Sequence, residues 1–445
     1  MKGLAIRDER ACGIDVGSER LHVSVGGALS QVFGTLTRDV EELIEYLRVQ
    51  QVRSVAMEAT GVYWLYLYEA LQAAGFEVLV VNGRHVRNVP GRKTDMSDSQ
   101  WLSTLHAHGL LRSGFVPAAQ VRSLRDYMRL RQDHVQMAAS QIQLMQKALE
   151  RMNIKLHDVI SDLSGVSGLK VVRAMVAGER DPQRLLEQCD VQIRKLKAER
   201  VRESLRGLWR EEHLFALRQA LQGWDFYQRQ IAECDSAIGA LLQAMAGPPD
   251  AAAAADRVGK GKPVSANTPR IDGLRGLLLR ICGGRDATQL PGLAEHSLLK
   301  LISEVGTDLS PWPSEKHFTA WAGLAPAAAQ SGKRRRREKR HLNRTGRIFC
   351  EMARSLARSV DKGFGGFYRR IKGRRGGLVA NKAVARKLAI MFWRVMVHGV
   401  EYVEHGLKHY QDRVRLTEQR TLTKLAHKLG FSITPKINHF EEVPG

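Results

Sequence analysis

Between residues 11 and 33, apolar side chains come in short alternating runs, CGIDV, LHVSV and LSQVF, divided by Gly and Ser. A period of two bounded by turn residues predicts strands, here a three-stranded antiparallel meander. The period then changes. In TRDVEELIEYLRVQ, Val40, Leu43, Ile44 and Leu47 recur at helical spacing behind Thr37, which is placed as the N-cap with a carboxylate near the third helical position. VRSVAME reads as a buried strand, VYWLYLYEALQAAG as a helix closing on Gly, and EVLVVN as another strand. A further helix is expected over residues 95–105.

Residues 119–245 contain no strand pattern, and apolar residues recur at three and four spacings in VRSLRDYMRLRQDHVQMAASQIQLMQKALERM and in DVQIRKLKAERVRESLRGLW. Long helices paired as in a coiled coil are expected. AGPPDAAAAADRVGKGKPVSANTPR has Pro, Gly and polar residues without periodicity and reads as a linker over 246–270. Short helices joined by Gly and Pro turns follow, then the basic run KRRRREKR and a helical tail reaching about residue 430. The expected organisation is an α/β domain at 1–117, a helical coiled-coil region at 118–245, the linker, a mainly helical domain at 271–372 and a helical tail at 373–445.

With 445 residues, 44% of them hydrophobic, the chain can bury more than one core. No apolar run approaches the roughly 18 to 20 residues that span a bilayer, and MKGLAIRDERA lacks the apolar centre of a signal peptide, so a cytoplasmic location without membrane partners is expected. Five cysteines without CxxC spacing argue against a disulfide framework or a zinc site. The formal charge of +23 points to a polyanionic partner, nucleic acid first. The basic run carries no apolar residue, so it suits phosphates better than a membrane surface.

Against this basic background, four acids stand out: Asp15 in the first strand, Glu58 ending a later strand, and Asp95 with Asp98 at the start of a helix. The element order βββαβαβ joins an antiparallel start to parallel strands added by helical crossovers, the layout of a ribonuclease H-like domain. In such a fold the C-terminal ends of parallel strands converge, and residues three apart on a helix share a face, so these carboxylates can surround one or two magnesium ions. Taken singly, Asp98 also reads as a helix cap, Asp95 as a surface acid and Glu58 as half of a salt bridge. An unpaired acid in a strand as apolar as that of Asp15 is costly, which favours the metal-site reading of the group. His106 and His108 lie near the acids but read as helix-surface histidines rather than ligands.

GIDVGSERLHVSV, AMEATGVYWLYLYEALQAAG, VVNGRHVRNVPGRKTDMSDSQWLSTLHAHGLL and, far downstream, AWAGLAPAAAQSGKRR resemble the DEDD transposases of bacterial insertion sequences, a family described as bridge RNA-guided recombinases. The resemblance covers most of residues 11–117 and about 275–360. It implies a Holliday-junction-resolvase-like (RuvC-like) domain with Asp15, Glu58, Asp95 and Asp98 as ligands of Mg2+ or Mn2+. It also implies a nucleophilic serine, which falls on Ser331. A guide RNA, DNA as donor and target, and a dimeric or tetrameric assembly come with it. PGLAEHSLLKLISEVG is similar to the family's helix-hairpin-helix-like segment but lacks its second hairpin glycine. Around Ser331, Gly332 permits close backbone approach and Lys333, Arg334, Arg335, Arg336, Arg337, Lys339 and Arg340 can hold phosphates, as can Arg92 and Lys93 beside the acids. No local His or Asp is placed to activate the serine as in a hydrolase triad.

The leading expectation is therefore a transposase that cuts and rejoins DNA through a phosphoserine intermediate, in the bacterial cytoplasm and on the nucleoid when active. Two alternatives remain at this point: a site-specific DNA invertase of the same family, and a non-catalytic DNA-packaging protein, which the basic charge fits and the buried acids do not.

Overall fold

The computed structural model describes residues 5–59, 61–83, 86, 97–248, 267–326, 329–331, 334–336, 341–359, 363–399, 416 and 419–432. The chain divides into two units, Met1–Val116 and Pro117–Gly445.

In the first unit, strands β1 (Cys12–Val16), β2 (Leu21–Val25) and β3 (Gln31–Phe33) form the expected antiparallel meander. Helix α1 (Thr37–Val49) leads to β4 (Ser54–Glu58), and α2 (Trp64–Ala73) leads to β5 (Glu77–Val81). Both later strands are parallel to their neighbours, giving one five-stranded sheet in the order β3-β2-β1-β4-β5. Alternation along β1 gives the sheet two different faces. Cys12, Ile14 and Val16 pack with Val55 and Met57 of β4 and with Leu43, Leu47, Leu67 and Leu71 of α1 and α2. The opposite face of β1 receives helix α3 (Asp98–Ala107), where Trp101, Leu102 and Leu105 close a smaller core with Val81 and Val86.

Two local expectations change. Helix α1 starts at Thr37 itself with Leu36 as N-cap, because the Asp39 carboxylate accepts from the Leu36 N–H at 3.1 Å and so does the capping from inside the helix. Helix α3 begins at Asp98, with Ser97 as its N-cap. Asp95, where that helix was expected to begin, lies outside the described residues.

In the second unit, α4 (Ala119–Arg151) and α9 (Glu211–Ala246) pair over their length. Arg131 faces Asp235 and Gln141 faces Gly223, so the two run antiparallel. Between them in sequence lie α5 (Leu156–Val159), α6 (Val166–Val176), α7 (Pro182–Glu187) and α8 (Val191–Ser204), which build a core with Met145, Leu149, Leu217 and Leu221 of the long helices. At the other end Arg131 and Asp235 form an ion pair with side chains only 4% exposed. A buried pair needs further hydrogen bonds to offset desolvation. It has them: Arg131 Nη1 donates to the Asn267 carbonyl at 3.0 Å, and the Arg270 N–H donates to Asp235 Oδ2 at 3.0 Å.

Further along the described residues come the helices α10 (Leu274–Ile281), α11 (Glu295–Val305), α12 (Glu315–Trp321), α13 (Arg344–Ala357), α14 (Phe364–Arg375) and α15 (Gly377–His398). Phe318, Phe349, Phe392 and Trp312 form an aromatic centre joining α12, α13 and α15. β6 (Ala329–Ser331), just before the basic run, and β7 (Arg334–Arg336), within it, pair as a two-stranded antiparallel sheet. The five cysteines are free and buried. Among the described residues, no helix is long and apolar enough to cross a membrane.

Candidate functional site

The acids come together because of strand parity. Asp15 lies two residues beyond Gly13 on β1 and Glu58 two beyond Ala56 on β4, and Gly13 pairs with Ala56 in the parallel register. Asp15 and Glu58 are therefore neighbours on adjacent strands, on the face opposite Ile14 and Met57 and at the C-terminal ends of both. Both are half-buried.

Helix α3 brings the third acid to that face. A Cβ added at Gly13 would lie 2.2 Å from the Ser103 nitrogen and 2.4 Å from the Ser99 carbonyl oxygen, so the helix backbone rests directly on β1. Small residues with hydroxyls line the contact and fasten it. Ser103 Oγ donates to the Ala11 carbonyl at 2.8 Å and accepts from the Gly27 N–H at 2.9 Å. Ser30 Oγ lies 2.7 Å from the hydroxyls of both Ser97 and Ser99. Ser97 caps the helix through the Gln100 N–H, while the Gln100 side chain accepts from the Ser97 N–H at 3.1 Å. Asp98, the first helical residue, is thereby held exposed beside the sheet.

The electrostatics follow from this placement. Burial pushes the Asp15 carboxyl above its usual range, the nearby Asp98 carboxylate pushes it further, and His22, its partner across β1–β2, pulls it partly back. The Glu58 carboxylate lies against the backbone after β5, where a Cβ on Gly83 would fall 1.8 Å from Glu58 Oε1. The Glu58 carboxylate, where it lies, needs that glycine. A half-buried carboxyl whose proton affinity a neighbouring carboxylate raises suits a hard divalent cation, which would reverse the unfavourable sign. The three described carboxylates do not all fall within 4.8 Å of one another, unlike the ligand atoms of Glu150, His157 and Asp158 in the second unit. That tighter group is already satisfied by a cation, since Lys155 donates to Glu150.

A transposase family model of the DEDD IS110 type matches residues 12–154, and the model of the transposase IS116/IS110/IS902 family matches residues 285–369. The chain belongs to the DEDD transposases of insertion sequences. No curated protein matches it. Membership gives this transposase DNA as its substrate and suggests the use of a divalent metal, in agreement with the donor chemistry around Asp15.

The second match contains Ser331, which lies on β6 in register with Arg334 of β7, as Gln330 does with Arg335 and Ala329 with Arg336. Lys333, Arg337, Lys339 and Arg340 lie outside the described residues, as do Arg92 and Lys93. The histidines of α3 stand apart from the acids. His106 Nε2 is 2.8 Å from Ser54 Oγ at the opposite, N-terminal end of β4, and its pKa is lowered chiefly by burial. His108 Nδ1 meets the Ala5 carbonyl at 3.2 Å. Sequence reasoning passed over Gly13, Gly83 and the serines that seat α3. A lone glycine inside a strand was the available signal, since it marks close backbone approach.

Proposed function

We propose that this transposase cuts and rejoins DNA through a covalent phosphoserine at Ser331, with Asp15, Glu58, Asp95 and Asp98 as ligands of magnesium or manganese. A structured RNA of its own insertion sequence serves as guide, and the active form is a homo-oligomer, dimer or tetramer, working in the bacterial cytoplasm on the nucleoid. The observation that carries this reading is the seating of α3 on Gly13, which sets Asp98 beside Asp15 within the DEDD match. A ribonuclease H-like fold for the first unit is supported by the order β3-β2-β1-β4-β5, three strands antiparallel and two added in parallel.

A bound divalent ion would neutralise charge on phosphate oxygens. The chain's own groups do the rest. In cleavage, Ser331 Oγ forms a bond to phosphorus, the bond from phosphorus to one bridging oxygen breaks, and that oxygen takes a proton. Rejoining is the reverse, with a strand-end hydroxyl attacking the phosphoserine and Ser331 recovering its proton, so no external energy source is consumed. The arginines of β7 and the basic residues after them supply charge for the phosphates. The proposed division is a catalytic domain at 1–117, a helical region at 118–245, a linker at 246–270, the serine domain at 271–372 and a tail at 373–445.

The test is a denaturing gel of end-labelled DNA incubated with magnesium and either wild type or Ser331→Ala. Wild type should give a protein–DNA adduct whose peptide maps to Ser331, and the alanine variant should lose both adduct and cut. Full cleavage by Ser331→Ala, or an adduct at another residue, would refute the phosphoserine and leave a metal nuclease.

A further inference from the structure

Helix α13 is two-sided. Ile348, Phe349, Met352, Ala353 and Leu356 are buried, while Arg347, Arg354 and Arg358 repeat on the exposed side. Beside that side, between α13 and the start of α15, lies a cavity of about 500 Å³. Its apolar wall is Leu342, Leu378 and Val379, and its rim carries Arg347, Arg354 and Lys382.

Three features of this pocket are not explained by folding. First, Leu378 is 85% exposed and Val379 44%, an apolar surface that the fold leaves uncovered. Second, the side chains of Arg347, Arg354 and Lys382 make no ion pair or hydrogen bond among the described residues, whereas nearby Arg344 is engaged by Glu304 at 3.2 Å. Lys382 and Arg354 do converge, for both pull down the Cys350 thiol that burial pushes up. Third, Asn381 lines the cavity, is 8% exposed, and its Oδ1 has no hydrogen-bond partner. An unsatisfied buried amide is costly, so a ligand that satisfies it, after a turn of the amide that brings this solvent-shielded oxygen to the cavity, is favoured over one that does not. The one acid on the rim, Glu351, lies 3.6 Å from Lys300 of α11.

We propose that this pocket receives one unstacked nucleobase from a single-stranded stretch of the bound polynucleotide. The base lies against Leu342, Leu378 and Val379, the Asn381 amide bonds its polar edge, and Arg347, Arg354 and Lys382 hold the flanking phosphates. The proposal rests on the nucleic-acid reading above and adds a nucleotide-binding subsite in the second unit to it. Size fits: pockets that bury small ligands run to about 300–1,000 Å³. Chemistry fits as well, since cations on the rim with an apolar floor and one amide match the phosphate, flat face and edge of a nucleotide. Single-stranded DNA and RNA share all of these groups.

The experiment uses the full chain and 20-nucleotide DNA and RNA oligonucleotides carrying one 5-iodouracil, or one abasic position in its place. Irradiation should crosslink the iodouracil to the segment 377–382, and the abasic oligonucleotide should bind about tenfold more weakly, the scale of one lost base contact. Leu378→Ala, at an exposed position, and Asn381→Ala should each erase most of that tenfold difference, with melting temperature checked in parallel. Arg354→Ala with Lys382→Ala should weaken both oligonucleotides alike. The arm that shows the crosslink, ribose or deoxyribose, names the strand that supplies the base. Equal affinity for abasic and normal oligonucleotides, or crosslinks elsewhere, overturns the pocket while leaving nucleic-acid binding intact. Failure to bind either polynucleotide at low salt would instead overturn the functional reading.

Discussion

Gly13→Ala tests the geometry on which the acidic site depends. The added methyl would stand 2.2 Å from the Ser103 nitrogen, 2.4 Å from the Ser99 oxygen and 2.9 Å from the Leu102 carbonyl carbon, all of them backbone atoms of α3. No rotamer change relieves such a contact. To reach ordinary separation, near 3.4 Å, the helix must lift from β1 by about 1 Å. Overpacking of this kind costs about 1 to 3 kcal/mol. The larger effect falls on function, because Asp98 rides on α3 while Asp15 stays on β1, and a misplacement of about 1 Å lowers a rate by roughly 100-fold. Gly276→Ala is the matched control. It lies within α10 with nothing within 4 Å of a built Cβ, so alanine should raise stability by about 0.5 to 1 kcal/mol. The assay is urea unfolding together with single-turnover cleavage of a labelled substrate. Full cleavage by Gly13→Ala with unchanged stability would mean that α3 does not position the acids.

If Asp15 and Glu58 are the metal ligands proposed above, Asp15→Asn and Glu58→Gln should each abolish strand cleavage while nucleic-acid affinity stays nearly unchanged, since neither change removes a phosphate contact; retained cleavage removes that residue from the site. The Asp15 carboxyl is raised in the fold, so its ionisation opposes folding and stability is lost as pH climbs above the ordinary carboxylate value of 3.8. Asp15→Asn should therefore melt higher than wild type in EDTA at pH 7, and a lower melting temperature would contradict the crowding. Replacing Arg334, Arg335, Arg336 and Arg337 by Ala should flatten the dependence of log affinity on log salt by nearly one unit per lost phosphate contact. An unchanged slope would mean that they bind no phosphate. His296 is held down to about 3 by burial, with Lys300 and Arg131 adding repulsion, so the neutral ring is the folded form. Its stability contribution is intact above the ordinary value of 6.5 and is lost as pH falls from there toward 3, by up to about 1.4 kcal/mol per pH unit. His296→Gln should reduce that slope in urea midpoints measured between pH 4 and 7.

The first sheet was legible because alternation is a local property. The same period of two that buries Ile14 and Met57 sends Asp15 and Glu58 to the other face, so both the strands and two of the acids could be read together. The seat of α3 was harder to read. It depends on Gly13 meeting Ser99 and Ser103 across almost 90 residues of chain, and each is an ordinary residue by itself. The cap of α1 moved by one residue because Asp39 supplies the acceptor that Thr37 was expected to supply. Strands β6 and β7 gave no signal at all, since AQS and RRR contain no apolar alternation. The pocket beside Asn381 was out of reach for a related reason. Nothing in the sequence of α15 tells which helix it will pack on, so an amide left unpaired there looks like any other helical asparagine.

The Arg131–Asp235 pair has a consequence for how the chain tolerates change. It fastens residues 267–270 to a point 11 residues back from the end of α9, roughly 16 Å along the helix by the rise of 1.5 Å per residue. The 20 residues between 246 and 267 have only that distance to cover. Their number is therefore not set by reach. Added length there costs little, about 0.6 kcal/mol for each doubling of a loop, because the clamp holds the register of everything downstream. In engineering terms, a reporter or a second binding module inserted between 246 and 267 should leave the clamp, and the register that it sets, in place.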